Sequence, residues 1–271
     1  MRRTWLFVPG ADETAHAAAA RSGADVIILE LEDFTPPELR PRARALSANA
    51  FASWRRAGAT AGVRVNPFEA CGAEDLAGIA PPDVLMMSKV DSPEQVRRLE
   101  AAAPAGAELV PNIESARGLL RIQEIARASP RITALLVASE DMVADLGTER
   151  SRGGEELAYV RSRFLVECRA AGVEAIDCPY TFSDTKGALA DARYAKRLGY
   201  RMKSLVDPSH AKAINAVFTP SRAEVAKAKK IDAAFARARA AGRERARVGG
   251  ALIEVPIYAA AKRLLAAAGR S

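Results

Sequence analysis

Six short polar clusters recur along the chain, each closing an apolar run: Glu30-Leu31-Glu32-Asp33, Arg64-Val65-Asn66, Ser88-Lys89, Asn112-Ile113-Glu114, Ser139-Glu140-Asp141 and Asp177. Gathered at one place they would form a ring of carboxylates around one arginine and one lysine. A set of carboxylates without histidine or thiolate favours a hard, oxygen-loving cation, and Mg²⁺ takes one or two protein carboxylates together with water and substrate oxygens. Arg64 offers a planar fork for a substrate carboxylate. A metal chelated by a 2-oxo or 3-hydroxy acid polarises the C–O group and stabilises enolate charge, which suits aldol, retro-aldol or Claisen-type chemistry. Arg64, Glu32 and Asp33 are therefore candidate catalytic residues, and Arg64, Asn66, Lys89 and Glu140 candidate contacts to an anionic small-molecule substrate. Glu114 and Asp141 each follow a strand and open a helix, so capping competes with ligation at both.

Other chemistries are thinly supplied. His16 and His210 are the only histidines, no Cys/His cluster has zinc spacing, and a histidine triad would have to use one of these two. His16 lies in an alanine-rich helical run and is expected at the surface. Lys89 closes a strand and could form a Schiff base, but an ion pair with the acidic ring makes that redundant. The three cysteines, Cys71, Cys168 and Cys178, are scattered and odd in number, which argues against a disulfide framework and for a reducing cytoplasm. Nothing supplies a base for a thiolate at Cys71 or Cys178, so both read as packing residues.

No apolar run approaches the ~18 residues of a membrane span. The segment Trp5-Leu6-Phe7-Val8-Pro9-Gly10 reads as a first strand and not as a signal peptide. Net charge is +7, with Lys227, Lys229, Lys230, Arg237, Arg239, Arg243, Arg245 and Arg247 crowded near the end. This basic run reads as a solvated helix face or as an attractor of small anions. Nucleic acid is not expected, because no aromatic interleaving or helix-turn-helix pattern accompanies it.

The clusters need a scaffold that brings strand ends together. Strands are expected over 4–8, 25–31, 62–66, 84–87, 108–113, 132–138, 173–177 and 201–206, with helices over 13–21, 41–56, 93–103, 115–128, 155–171 and 184–198. Runs such as Val26-Ile27-Ile28-Leu29 suit strands buried on both faces of a parallel sheet. About eight β-then-α units match a closed (β/α)₈ TIM barrel, whose active site lies at the C-terminal strand ends. No G-x-G-x-x-G follows the first strand, which argues against an open dinucleotide-binding sheet. Residues 1–215 are expected to form the barrel, and 216–271 a C-terminal helical extension packing on the barrel or on a neighbouring subunit. One extension helix is expected over 221–240 behind Thr219-Pro220-Ser221, and another from about 256 after a break at Gly249-Gly250.

Across nearly the whole chain the sequence resembles the citrate lyase beta-subunit-like family of the HpcH/HpaI aldolase superfamily. The matching segments are Trp5-Leu6-Phe7-Val8-Pro9-Gly10, Leu29-Glu30-Leu31-Glu32-Asp33 with Arg42-Ala43-Arg44, Arg64-Val65-Asn66, Ser88-Lys89-Val90, Ile113-Glu114-Ser115-Ala116-Arg117-Gly118, Glu140-Asp141-Met142 with Asp145-Leu146-Gly147, Ala175-Ile176-Asp177, and Phe218-Thr219-Pro220-Ser221. The resemblance implies a barrel enzyme that is a homotrimer or hexamer, with Mg²⁺ held by Glu114 and Asp141 and with Arg64 on the substrate carboxylate or carbonyl. It implies cleavage or formation of 3-hydroxyacyl-coenzyme A thioesters such as citryl-, citramalyl- or malyl-CoA, or thioester hydrolysis. A coenzyme A-independent aldolase and a non-catalytic homologue are the other readings. Four departures from the family pattern bear on substrate and proton transfer: Glu30 where aspartate is common, Ala138-Ser139 where glycine is usual, Asp207 for histidine, and Glu254 for an aspartate that can reach a neighbouring subunit's site as acid or base.

Overall fold

Short apolar runs with no polar face suit strands covered on both sides. The computed structural model describes residues 2–269 and closes eight such strands into one parallel barrel, in sequence order. They are β1 (Thr4–Pro9), β2 (Val26–Glu30), β3 (Thr60–Val65), β4 (Val84–Met87), β5 (Glu108–Ile113), β6 (Ala134–Val137), β7 (Glu174–Asp177) and β8 (Met202–Leu205). Pairing of Trp5 with Val26 on one side and with Ser204 on the other closes the ring, leaving no sheet edge. Helices α1 (Glu13–Ser22), α2 (Arg40–Arg56), α3 (Gly72–Gly78), α4 (Pro93–Ala102), α5 (Ala116–Leu120), α6 (Ile122–Ala126), α7 (Glu140–Asp145), α8 (Ala158–Ala171), α9 (Thr185–Leu198) and α10 (Ala211–Phe218) follow the strands.

Strand alternation decides which side chains enter the barrel. Trp5, Phe7, Val26, Ile28, Val84, Met86, Val110, Ala134, Leu136, Ile176 and Met202 form one buried apolar cluster inside it. Two residues further along each strand, the same parity turns Glu30, Ser88, Asn112 and Ser204 inward, with Glu114 two beyond Asn112. Gly62 is inward as well: a β-carbon there would lie 2.4 Å from Ile28 Cδ1. Arg64, two residues on, therefore also enters the barrel. By the same count Asp177 and Lys203, each one step after an inward residue, point out to the helices.

Several elements differ from expectation. The helix expected over 115–128 breaks at Arg121 into α5 and α6, and a 3-10 turn over Glu155–Leu157 precedes α8. The short helices α3 and α7 were not legible, because neither offers a full amphipathic period. A second compact unit begins at Val217 and holds α11 (Arg222–Ala240), α12 (Val255–Ala268) and an antiparallel pair, β9 (Ala246–Val248) with β10 (Ala251–Ile253). Ser221 caps α11 in a reciprocal capping box with Glu224. The expected break at Gly249-Gly250 is a two-residue hairpin turn with both φ positive, 55° and 81°. Ile231, Phe235 and Ile253 form this unit's core, with Tyr258 stacked on Phe235 at 4.4 Å.

Candidate active site at the barrel mouth

Glu30, at the end of β2, is fully buried, and one of its oxygens accepts from the Glu32 amide at 2.7 Å and from Arg64 Nε at 2.9 Å. The other accepts from the Phe34 amide at 2.6 Å. The loop is tied down again by Thr35, whose hydroxyl donates to Glu30 O and accepts from the Gly10 amide. Gly10 permits that approach, since a β-carbon would fall 2.6 Å from Glu30 O.

Arg64 occupies the centre. Its Nη2 lies 3.2 Å from Glu32 and 4.0 Å from Asp33, and its Nη1 3.6 Å from Glu114. Phe7 and Phe34 place their rings 5.1 and 6.0 Å from the guanidinium carbon. Burial works against the charge, but Glu30, Glu114 and Glu32 outweigh it and hold the guanidinium firmly protonated.

Lys89 closes the ring from β4. Among the described residues it is the only non-glycine with positive φ, 54°, a left-handed conformation a lysine adopts at some cost. Its carbonyl accepts from Gln95 Nε2, while Gln95 Oε1 takes the Asp91 and Ser92 amides and so fixes the turn. The ammonium bonds Glu32 and lies 3.7 Å from Asp33 and 3.9 Å from Asp141. Burial opposes its charge, and the Glu32, Asp33 and Asp141 carboxylates more than restore it. The expected ion pair with the acidic ring is thus present. Glu32 itself is raised, because burial outweighs Arg64 and Lys89.

Capping does not absorb the two candidate ligands. Ser115, next to Glu114, caps α5 through its hydroxyl to the Gly118 amide. Ser139 occupies the N-cap position of α7, leaving Asp141 in the first turn with its carboxylate a third exposed. Glu114 is 3 % exposed and neither of its oxygens has a hydrogen-bond partner. Burial, with Asp141 and Glu32 nearby, pushes it up to about 8 despite Arg64.

The other candidates fall around this centre. Glu140 is half exposed on the rim, accepting from Thr181 at 2.7 Å with Arg150 at 3.5 Å. Asn66 donates its amide to Leu31 O and to buried Asp75, so it braces the loop after β2. Asp75 was not singled out from sequence; its signal is an acid within a short helix just after Asn66. Glu254 belongs to the second unit, at the N-cap position of α12, half exposed and 3.3 Å from Arg245.

Two expectations are corrected. Asp177 does not join the ring: it lies behind the barrel wall, bonded to Arg161 at 2.6 and 2.8 Å and to Lys203 at 2.6 Å. Its parity, one step past inward Ile176, forces this. His16 is buried, not exposed, with Nε2 on Pro9 O at 3.0 Å and its ring edge-on to Trp54. The alanines around it let α1 pack closely, and burial lowers the imidazole's proton affinity.

The charge balance of the mouth bears on whether it suits Mg²⁺. Five carboxylates (Glu30, Glu32, Asp33, Glu114, Asp141) face two cations, an excess of three negative charges when all are ionised. Orphaned carboxylate oxygens are costly, and a hard cation beside Glu114 and Asp141 would satisfy them. Among the described residues no three His, Cys, Asp or Glu converge as a ready-made metal cage. The residues fit the ion.

The architecture defines a closed (β/α)₈ barrel whose acid-lined mouth surrounds one clamped arginine. The chain belongs to the HpcH/HpaI aldolase/citrate lyase family, whose model matches residues 3–208. It is 32% identical to the citrate lyase subunit beta of Haemophilus influenzae, over 98% of this chain and 96% of that one. It is 30% identical to a (3S)-malyl-CoA thioesterase of Cereibacter sphaeroides, covering 98% and 94% of the two chains. Among solved structures, the CitE protein of Mycobacterium tuberculosis in complex with magnesium, acetoacetate and coenzyme A is 29% identical, with a TM-score of 0.80 and 98% of both chains covered.

Proposed function

We propose that this protein is a Mg²⁺-dependent carbon–carbon lyase that cleaves or forms a 3-hydroxyacyl-coenzyme A thioester, such as citramalyl-, malyl- or citryl-CoA, with an acyl-CoA and a 2-oxo acid on the other side. The observation that carries the reading is buried Glu114, whose oxygens accept no hydrogen bond, 3.6 Å from an Arg64 fork held at Nε by Glu30. Mg²⁺ bound by Glu114 and Asp141 would supply Lewis-acid polarisation of the substrate's hydroxyl or carbonyl oxygen. Arg64 holds the acid end of the substrate through Nη1 and Nη2. Lys89 adds positive charge at the rim, and Glu140 borders the same opening.

In the cleavage direction the hydroxyl proton leaves to a mouth carboxylate, for which Glu32 is placed between Lys89 and Arg64. The bond between the hydroxyl-bearing carbon and the carbon next to the thioester breaks, and its electron pair forms the thioester enolate. Glu254 of a neighbouring copy in a homotrimer or hexamer donates the proton that converts enolate to acyl-CoA, its own side chain one methylene longer than aspartate. Residues 217–271 are then the unit that delivers this acid.

Thioester hydrolysis is the second reading, favoured by the similarity to the malyl-CoA thioesterase. Both are tested by incubating purified protein with Mg²⁺ and malyl- or citramalyl-CoA and resolving the products. A 2-oxo acid with acyl-CoA supports the lyase, whereas free coenzyme A with intact hydroxy acid supports the hydrolase. Turnover retained in Glu114→Ala or Asp141→Ala would contradict the metal assignment.

A further inference from the structure

Glu30 contacts nothing that reacts, yet its carboxylate is the most fully engaged group at the mouth. It is 0 % exposed and accepts three hydrogen bonds, from Arg64 Nε (2.9 Å), the Glu32 amide (2.7 Å) and the Phe34 amide (2.6 Å). A guanidinium is planar, so fixing Nε fixes the plane and direction of its other two nitrogens. With Nε held from the β2 side, Nη1 and Nη2 are left facing Glu114, Glu32 and Asp33. The same carboxylate sets the loop that carries Glu32 and Asp33, and it anchors the backbone of Phe34, whose ring lies 6.0 Å from the guanidinium.

We infer that Glu30 is a positioning residue for 2-oxo-acid recognition: it aims the Arg64 fork and locks the acidic loop beside it in one step. The inference rests on the proposed reading of Arg64 as the anchor for the substrate's acid end. An aspartate at this position is one methylene shorter, so the loop or the Arg64 side chain would have to shift for both sets of contacts to persist. Glutamate is therefore the residue that couples the two. A purely structural ion pair would predict something different, namely lost stability with unchanged ligand affinity.

The test is calorimetric titration of pyruvate and of oxaloacetate into the full-length protein with Mg²⁺ present, for wild type, Glu30→Gln, Glu30→Asp, Arg64→Ala and the double variant Glu30→Gln/Arg64→Ala. Titration of Mg²⁺ alone and a thermal melt accompany each protein. Loss of a hydrogen bond to a charged group is worth about ten- to a hundredfold, so Glu30→Gln is expected to weaken oxo-acid binding by up to that factor with Mg²⁺ affinity little changed. Glu30→Asp, which keeps the charge, should fall between Glu30→Gln and wild type, and it carries the test should Glu30→Gln not fold. Because Glu30 reaches the substrate's acid end through Arg64, the double variant should bind an oxo acid no worse than Arg64→Ala alone. Oxo-acid affinity within twofold of wild type in both Glu30 variants, or losses that multiply in the double variant, would overturn the positioning role and leave the Arg64 reading standing. Wild-type protein that binds no oxo acid, or Arg64→Ala that binds as wild type does, would overturn that reading and this inference with it.

Discussion

The barrel holds two charge clusters of opposite character, a fully buried one behind its sheet and a partly exposed one at its mouth. Behind the wall, Arg161 and Lys203 face Asp177 and Asp191, two cations against two anions, with ion-pair distances of 2.5–2.7 Å. Inside the mouth, five carboxylates face two cations, and Glu114 has no hydrogen bond at all. Burying charge is costly in both places, and only the first arrangement compensates it internally. A neutral, closed network holds β7, β8, α8 and α9 together. An acidic, incomplete one stores an imbalance that a cation and an anionic substrate can relieve. For the residues on the strands themselves, parity alone decides which of the two clusters a side chain joins.

The sharpest break in that comparison is Lys203→Met. It should leave Asp177 and Asp191 short of positive charge and destabilise the protein by about 3–5 kcal/mol, read by urea unfolding. Any Mg²⁺ affinity of the variant that still folds should match wild type, because the wall cluster does not touch the mouth. Asp191→Asn should cost less, about 1.5–3 kcal/mol at neutral pH, the scale of hydrogen bonds to charged groups. Burial opposes the Asp191 charge, but Lys203 and Arg161 outweigh it and hold the carboxyl below its usual range. Its stabilisation is therefore fully present above the unfolded-state value, near 4, and is lost as pH falls through the depressed folded value. Melting wild type and Asp191→Asn across pH should show a gap that is constant above about pH 5 and narrows below about pH 4. A gap independent of pH would remove Asp191 from the network.

The mouth should respond with the opposite sign. Glu114→Gln removes a buried carboxyl whose ionisation burial opposes and no hydrogen bond satisfies, so metal-free protein at neutral pH should gain about 1–2 kcal/mol while losing Mg²⁺ binding. A loss of stability would show that Glu114 is already satisfied without a cation.

Much of this was legible before any coordinates. Eight strands, the alternation with helices and the gathering of Glu30, Glu32, Asp33, Arg64, Lys89, Glu114 and Asp141 at one mouth follow from apolar runs ending in polar residues. Strand ends are not all alike, because parity sends some side chains inward and others outward. Asp177 sits one residue after Ile176 and so faces the helices, and Lys203, within fully buried β8, is the sign that a buried anion has to lie beside it. Asn66 has its amide on Leu31 O and Asp75, contacts that depend on a short helix invisible to periodicity. His16 was misplaced because an alanine-rich helix reads the same whether it packs closely or faces water. The β9–β10 hairpin was missed although Gly249-Gly250 is its turn, since two three-residue strands carry almost no alternation.

The central claim is that the mouth is an incomplete charge cluster which a divalent cation at Glu114 completes. The most direct test is a thermal melt of wild type and Glu114→Gln over a Mg²⁺ titration. Ligand at a hundred times its dissociation constant stabilises the folded state by about 2.7 kcal/mol. For a domain of this size that corresponds to a rise in Tm of about 2–4 °C per kcal/mol. A saturable rise in wild type that is absent in Glu114→Gln is the predicted result. An unmoved wild-type Tm, or the same rise in both proteins, would contradict it.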